Sequence, residues 1–214
     1  MKVMVIFGTR PEGIKMAPVV KALQMDREID CVCVNTAQHR EMLDQVLGLF
    51  EIIPDYDLNM MRAGQSVEQL TGLMLTKLSV IIEQEKPDLV LVHGDTTTTL
   101  IGAFAAFLQK VPIGHVEAGL RTYQKYSPFP EEINRQMVSR LADYHFSPTE
   151  RNKNDLLKEN IAEHSIYVVG NTVIDALLNM SLKPYEFKGE LKSIFANGLK
   201  TILLTTHRRE NFAE

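Results

Sequence analysis

Asp95, Glu117 and Glu131 each lie in or beside a polar turn that follows an apolar run, and two cations, Arg10 and Lys15, flank another such turn near the N-terminus. Carboxylates gathered at one edge of a fold, beside cations, can move protons next to a bound anion. Taken singly, the carboxylates have plainer readings. Asp95 can cap the helix that starts near Thr96. Glu131 and Glu132 follow Pro130 in a helix's first turn, where acidic residues offset the dipole. Glu117 has the weakest plain reading, because Gly119 places it on a tight turn just past a buried strand. Together the three read as a proton-transfer set.

Gly8-Thr9-Arg10-Pro11-Glu12 lies between the apolar run Val3–Phe7 and an amphipathic segment carrying Ile14, Met16, Val19, Val20 and Leu23, and Arg10 and Lys15 bracket the point where the helix should begin. That is strand, tight loop, helix. Helix N-termini hold unpaired N–H groups and partial positive charge, so an anion such as a phosphate is the leading ligand. The loop is not Gly-x-Gly-x-x-Gly, because Arg10 replaces the second glycine. Nor is it a nucleotide triphosphate loop: Gly8 and Gly13 are correctly separated, but Ile14 precedes Lys15 and Met16 stands where a hydroxyl is needed. An ordinary turn, with Pro11 at the first helical position and Arg10 solvated, is equally open at this point.

His93-x-Asp95 and His115-x-Glu117 have metal-ligand spacing on a strand. A catalytic metal draws three ligands into one cluster, however, so both histidines are expected to be hydrogen-bonded core residues. His39, His145 and His164 lack informative context. His207 ends an apolar run and is followed by Arg208 and Arg209, repeating the cationic strand-end pattern of Arg10.

The elements that would position these groups alternate. Strands are expected at Val3–Phe7, Cys31–Thr36, Leu89–His93, Ile113–Val116, Tyr144–Ser147, Ile166–Val169 and Thr201–Thr205. Helices are expected at Ile14–Met25, Arg40–Leu49, Val67–Glu83, Thr97–Leu108, Glu131–Leu141, Glu150–Glu159 and Val173–Met180. The strands are continuous Val/Ile-rich runs, as in parallel sheets buried on both faces. The fold class is α/β, a Rossmann-like doubly wound parallel sheet, whose ligands bind at the carboxyl ends of the strands. Asp55–Gln65 breaks the alternation and is expected to be a polar loop and candidate lid. Residues 1–168 form the expected first domain. Residues 169–214 form the beginning of a second, irregular over Lys183–Gly198, whose first strand at Thr201 is cut off.

Composition bounds the rest. The 214 residues are 45% hydrophobic and 23% charged, as in ordinary globular proteins. A net charge of −4 and the absence of a Lys/Arg run argue against nucleic acid as a partner. No stretch is long and apolar enough for a membrane span, and the N-terminus lacks a signal-peptide shape. Cys31 and Cys33 share one strand face, a poor disulfide geometry, so two reduced core thiols and a cytoplasmic location are expected.

Phe7–Pro18, Thr36–Arg40, Val92–Thr99, His115–Arg121, Phe129–Arg135, Gly170–Thr172 and His207–Asn211, in this order and spacing, resemble the non-hydrolysing UDP-N-acetylglucosamine 2-epimerases over Lys2–Asn211. The resemblance implies a glycosyltransferase-B-like architecture with the second domain truncated. It implies interconversion of UDP-N-acetylglucosamine and UDP-N-acetylmannosamine for polysaccharide synthesis, through elimination and re-addition of UDP via a 2-acetamidoglucal. By motif, Asp95, Glu117, Glu131 and His207 would be catalytic. Arg10, Lys15, Asp95, Glu117, His207 and Arg208 would bind substrate. No metal, no nicotinamide and no other cofactor is implied, and a homodimer is. Family members with an effector site are expected to have Gln at position 41 and Arg at position 64; Glu41 and Gly64 put such control in question. A hydrolysing relative releasing N-acetylmannosamine and UDP, and an inactive oligomerising fragment, are the competing readings.

Overall fold

The computed structural model describes residues 1–37, 40–60, 64–196 and 198–204, without the side chains of Arg40 and Glu41. Two compact units divide the chain, Met1–Leu178 and Asn179–Glu214. The first runs β1 (Lys2–Phe7), α1 (Arg10–Met25), β2 (Asp30–Asn35), α2 (Arg40–Leu49), β3 (Tyr56–Asp57), α3 (Val67–Glu85), β4 (Leu89–His93), α4 (Thr97–Leu108), β5 (Ile113–Val116), α5 (Glu131–Leu141), β6 (Tyr144–Ser147), α6 (Glu150–Lys158) and β7 (Ile166–Val168). Helix α7 (Thr172–Ser181) follows, and α8 (Glu190–Ala196) lies in the second unit.

The seven strands form one sheet in the order 3-2-1-4-5-6-7, and every pairing is parallel. This is the doubly wound order, and its direction reverses between β1 and β4. Met4, Ile6, Val32, Val34, Val90 and Val92 pack with Leu70, Met74, Leu78 and Ile82 of α3 and with Ile101 of α4. The alternate positions Val3, Val5, Phe7 and Cys33 are also buried. Both faces being covered explains why these strands are unbroken apolar runs. Cys33 is buried and Cys31 half-buried, and both are free thiols.

Three expectations are corrected. Asp55–Gln65 is not simply a polar loop: Tyr56–Asp57 form the edge strand β3 against Val34 and Asn35. Nor do residues 55–60 form a lid. Asp55 Oδ2 accepts from Cys33 N at 2.8 Å, Leu58 N donates to Asn35 O at 2.9 Å, and Met60 is buried. Within Lys183–Gly198, α8 forms where irregular chain was expected. Residues 201–204 of the expected Thr201–Thr205 strand are not a strand; Ile202 and Leu203 are each 90% exposed. A strand needs a partner's backbone groups, and none reaches these residues within the described chain. Among the described residues, no helix is long and apolar enough to cross a membrane.

Candidate functional site

The carboxyl ends of β1 and β4 define the crevice at the reversal of strand order, where doubly wound sheets bind ligands. The β1–α1 turn is set first. Thr9 is the N-cap of α1, Arg10 opens the helix, and Pro11 falls one residue later than expected. Glu12 turns back so that its Oε2 accepts from Thr9 N at 2.7 Å and Gly8 N at 3.0 Å. Gly8 is required by close approach, since a Cβ there would stand 1.9 Å from Thr36 Oγ1 and 2.6 Å from Thr98 Oγ1. Arg10 is exposed, and among the described residues its side chain makes no hydrogen bond or ion pair, which leaves it available to an anion.

Helix α1 carries Lys15 to the end of β5. Its ammonium donates to Glu117 Oε2, and His93 Nε2, at the end of β4, lies 2.8 Å from the same oxygen at an angle short of a well-aligned hydrogen bond. Glu117 itself adopts φ +65°, and Gly119, at +91°, backs onto the Asn152 carbonyl with no room for a Cβ. A non-glycine residue held in this region stores strain of about 1–3 kcal/mol, a common feature of functional turns. Burial pushes the Glu117 carboxyl up, but His93 and then Lys15 outweigh it and bring its pKa down to about 2.

Asp95 is tuned the opposite way. Burial raises its pKa above the usual aspartate value, Arg135 opposes the rise, and the charges of Glu131 and Glu117 add to it. Arg135 Nε lies 3.6 Å from Asp95 Oδ2, and Asn134 Nδ2 donates to the Asp95 carbonyl at 2.9 Å. Thr96, not Asp95, caps α4, so the plain reading of Asp95 fails.

The neighbours Glu131 and Glu132 separate in role. Glu132 is fully buried and accepts from Thr122 N and Tyr123 N, each at 3.0 Å, and from Gln136 Nε2 at 2.8 Å. It fastens the loop after β5 to α5. Glu131 is partly exposed, and among the described residues its carboxylate has no hydrogen bond or ion pair; its charge is felt at Asp95. Arg121 turns away from the edge. Its fork grips Glu159 at 2.7 and 2.8 Å and donates to Ser139 Oγ at 2.9 Å.

Asp95, Glu117, Glu131, Arg10 and Lys15 therefore lie on loops and helix starts of the same sheet edge. His207 and Arg208 lie outside the described residues, as do Gln38 and His39 and the side chain of Glu41. Of the two histidines expected in the core, His115 is there: fully buried, Nε2 donating to Gly94 O at 2.7 Å, with burial lowering its pKa to about 3. His93 is not only a core residue, because its ring reaches Glu117. Sequence reading also missed Glu12 and Arg135. For Glu12 a signal existed, a Thr-x-x-Glu capping box at the helix start. For Arg135 the one signal was its place at the end of the Phe129–Arg135 motif. Among the described residues no three His, Cys, Asp or Glu side chains cluster as a metal site would need.

The family model described as UDP-N-acetylglucosamine 2-epimerase matches residues 21–214. A UDP-N-acetylglucosamine 2-epimerase of Neisseria meningitidis serogroup A is 53% identical over the whole chain, which covers 59% of that relative. Its Escherichia coli K12 counterpart is 55% identical over 99% of the chain, covering 58% of it. The chain thus spans less than two thirds of the length of these curated relatives. Among solved structures, S. aureus MnaA with UDP superposes with a TM-score of 0.90 at 54% identity, over 99% of this chain and 55% of that one. A lipopolysaccharide outer core galactosyltransferase shares the fold alone, with a TM-score of 0.58 at 16% identity over 80% of this chain and 46% of that one.

Proposed function

Because the chain belongs to the UDP-N-acetylglucosamine 2-epimerase family, we propose that the protein interconverts UDP-N-acetylglucosamine and UDP-N-acetylmannosamine by eliminating and re-adding UDP. The observation that carries this reading is the opposed tuning of Asp95 and Glu117 at one sheet edge beside Lys15. Inverting C2 requires one group to take its proton and another to return one to the opposite face. A pair of carboxyls whose environments push them apart suits such a division.

In the forward direction the C1–O bond breaks and its electron pair leaves with UDP. A carboxylate takes the C2 proton, and the C–H pair becomes the C1=C2 double bond of a 2-acetamidoglucal. Reversal on the other face delivers a proton to C2 while a diphosphate oxygen re-forms the bond to C1. Glu117, held anionic by His93 and Lys15, is suited to accept a proton. Asp95, whose charged form is disfavoured by burial, is suited to give one up, and Glu131 adds a third carboxylate whose charge acts on Asp95. Arg10 and Lys15 offer positive charge to the diphosphate, aided by the α1 N-terminus. His207 and Arg208 enter through motif resemblance only, in support of leaving-group departure. The division at residues 168 and 169 is proposed on the same basis.

The test is incubation of the protein encoded by the complete reading frame with UDP-N-acetylglucosamine in deuterium oxide. Deuterium at C2 and UDP-N-acetylmannosamine are expected. Free N-acetylmannosamine with UDP would replace this reading by the hydrolysing one, and no turnover would overturn both.

A homodimer and a cytoplasmic location are proposed with it. The homodimer is supported by an apolar groove of about 440 Å³ between α4 and α5, lined by Leu100, Ile101, Phe104, Met137 and Leu141. A monomeric sedimentation mass would overturn the first, and recovery in a membrane or secreted fraction the second.

A further inference from the structure

Glu12 is 1% exposed, and its carboxylate accepts from four groups, one of them shared with another acceptor. Its Oε2 takes the backbone amides of Gly8 and Thr9, and its Oε1 takes the hydroxyls of Thr96 at 2.7 Å and Thr99 at 3.1 Å. The amides belong to the turn that presents Arg10. The hydroxyls belong to the turn that presents Asp95, 84 to 87 positions away in sequence. The single Thr99 hydroxyl proton is shared: its nearer acceptor, at 2.5 Å, is the carbonyl of His93, the residue whose ring touches Glu117, and Glu12 Oε1 is its second acceptor. No other side chain among the described residues joins the β1–α1 and β4–α4 turns through both carboxylate oxygens. Thr36 and Thr98, with their hydroxyls 3.0 Å apart beneath Gly8, leave that joint no room to slide.

We propose that Glu12 is a positioning residue that fixes the anion-binding turn of Arg10 at a set distance from Asp95, so that a sugar nucleotide held by its diphosphate presents its ring to the carboxylates. This rests on the epimerase reading. What matters is the span of the side chain rather than its charge. A glutamine retains the span: its carbonyl can accept from the two amides, and its NH₂ can donate to the two hydroxyls, which rotate to accept. An aspartate retains the charge but is one methylene short and reaches only one pair.

The experiment compares Glu12→Gln with Glu12→Asp in the protein encoded by the complete reading frame. Glu12→Gln is expected to keep most of kcat. Glu12→Asp is expected to lose about 100-fold in kcat with little change in KM, the scale on which a misplacement of about 1 Å acts. An aspartate variant as active as the glutamine variant would overturn the proposal. Should Glu12→Asp fail to fold, Thr99→Ala removes one donor from the Oε1 end and keeps the α4 cap; a fall in kcat is expected, and an unchanged kcat would overturn it. Amide exchange separates this proposal from the epimerase reading if the unaltered protein proves inactive. Glu12→Gln should leave both turns protected, and Glu12→Ala should expose Gly8, Thr9 and the Thr96–Thr99 turn together. Loosening confined to one turn would overturn the bridge.

Discussion

Lys15 and Glu117 are hydrogen-bonded to one another across 102 positions of sequence, on a helix and a turn that meet only because β1 and β5 flank β4. The pair keeps a half-buried carboxylate charged at the sheet edge and keeps a cation next to the helix end that would receive a phosphate.

Glu117→Gln removes the anionic member of the proposed pair. Turnover is expected to fall by about 10²–10⁴-fold, the usual worth of a general acid or base. Binding of UDP, measured by calorimetry, should persist. Retention of C2 deuterium exchange would show that the proton passes elsewhere.

Acid stability should carry the same signature. The Glu117 pKa falls from the ordinary 4.5 to about 2 on folding, so its contribution is complete above the unfolded value and is lost as pH drops from about 4.5 toward 2. At about 1.4 kcal/mol per pKa unit, the contribution has an upper bound of about 3 kcal/mol. Urea midpoints of the natural protein and Glu117→Gln should differ at pH 6 and converge as pH falls through that window.

Asp95→Asn should separate stability from activity. The raised pKa of Asp95 means that folding disfavours its charged form, so its penalty is present at neutral pH and vanishes as pH falls below the unfolded value. The amide variant is expected to melt no lower than the natural protein at pH 7 while losing epimerisation. A fall in melting temperature at pH 7 would contradict this account of Asp95.

Gly8→Ala should destabilise by roughly 1–3 kcal/mol through overpacking against Thr36 and Thr98. Thr36→Ala in the same background should restore only part of the loss, because Thr98 Oγ1 remains 2.6 Å from the new methyl. Denaturant titrations of the single and double variants measure both.

Arg121→Lys tests whether the arginine in the motif after β5 is structural. Its side chain is 0% exposed and its fork holds both oxygens of Glu159. A point ammonium cannot replace that geometry. A loss of about 1–3 kcal/mol, the cost of leaving buried hydrogen-bonding groups unmet, is expected in chemical unfolding, with the KM for UDP-N-acetylglucosamine unchanged in the folded fraction.

Local chemistry determined much of this protein. Unbroken runs such as Val3–Phe7 and Leu89–His93 must be buried on both faces, which forces a parallel sheet, and a parallel sheet puts Asp95, Glu117, Arg10 and Lys15 at one edge. Gly119 announced the turn that holds Glu117. The two-residue strand β3 left no periodicity to read, because its hydrogen bonds come from β2 rather than from its own sequence. Long-range contact alone decided the division of labour among like residues. Glu131 and Glu132 are adjacent and chemically equal, yet the charge of one acts on Asp95 and the other is consumed by Thr122 and Tyr123. His93 and His115 each stand two residues before an acidic residue, yet only one meets a carboxylate. A sequence fixes which groups a strand end offers. Which partner each group finds, and so which charge it carries, depends on atoms brought within about 3 Å from a hundred residues away, where distance and burial set the electrostatics.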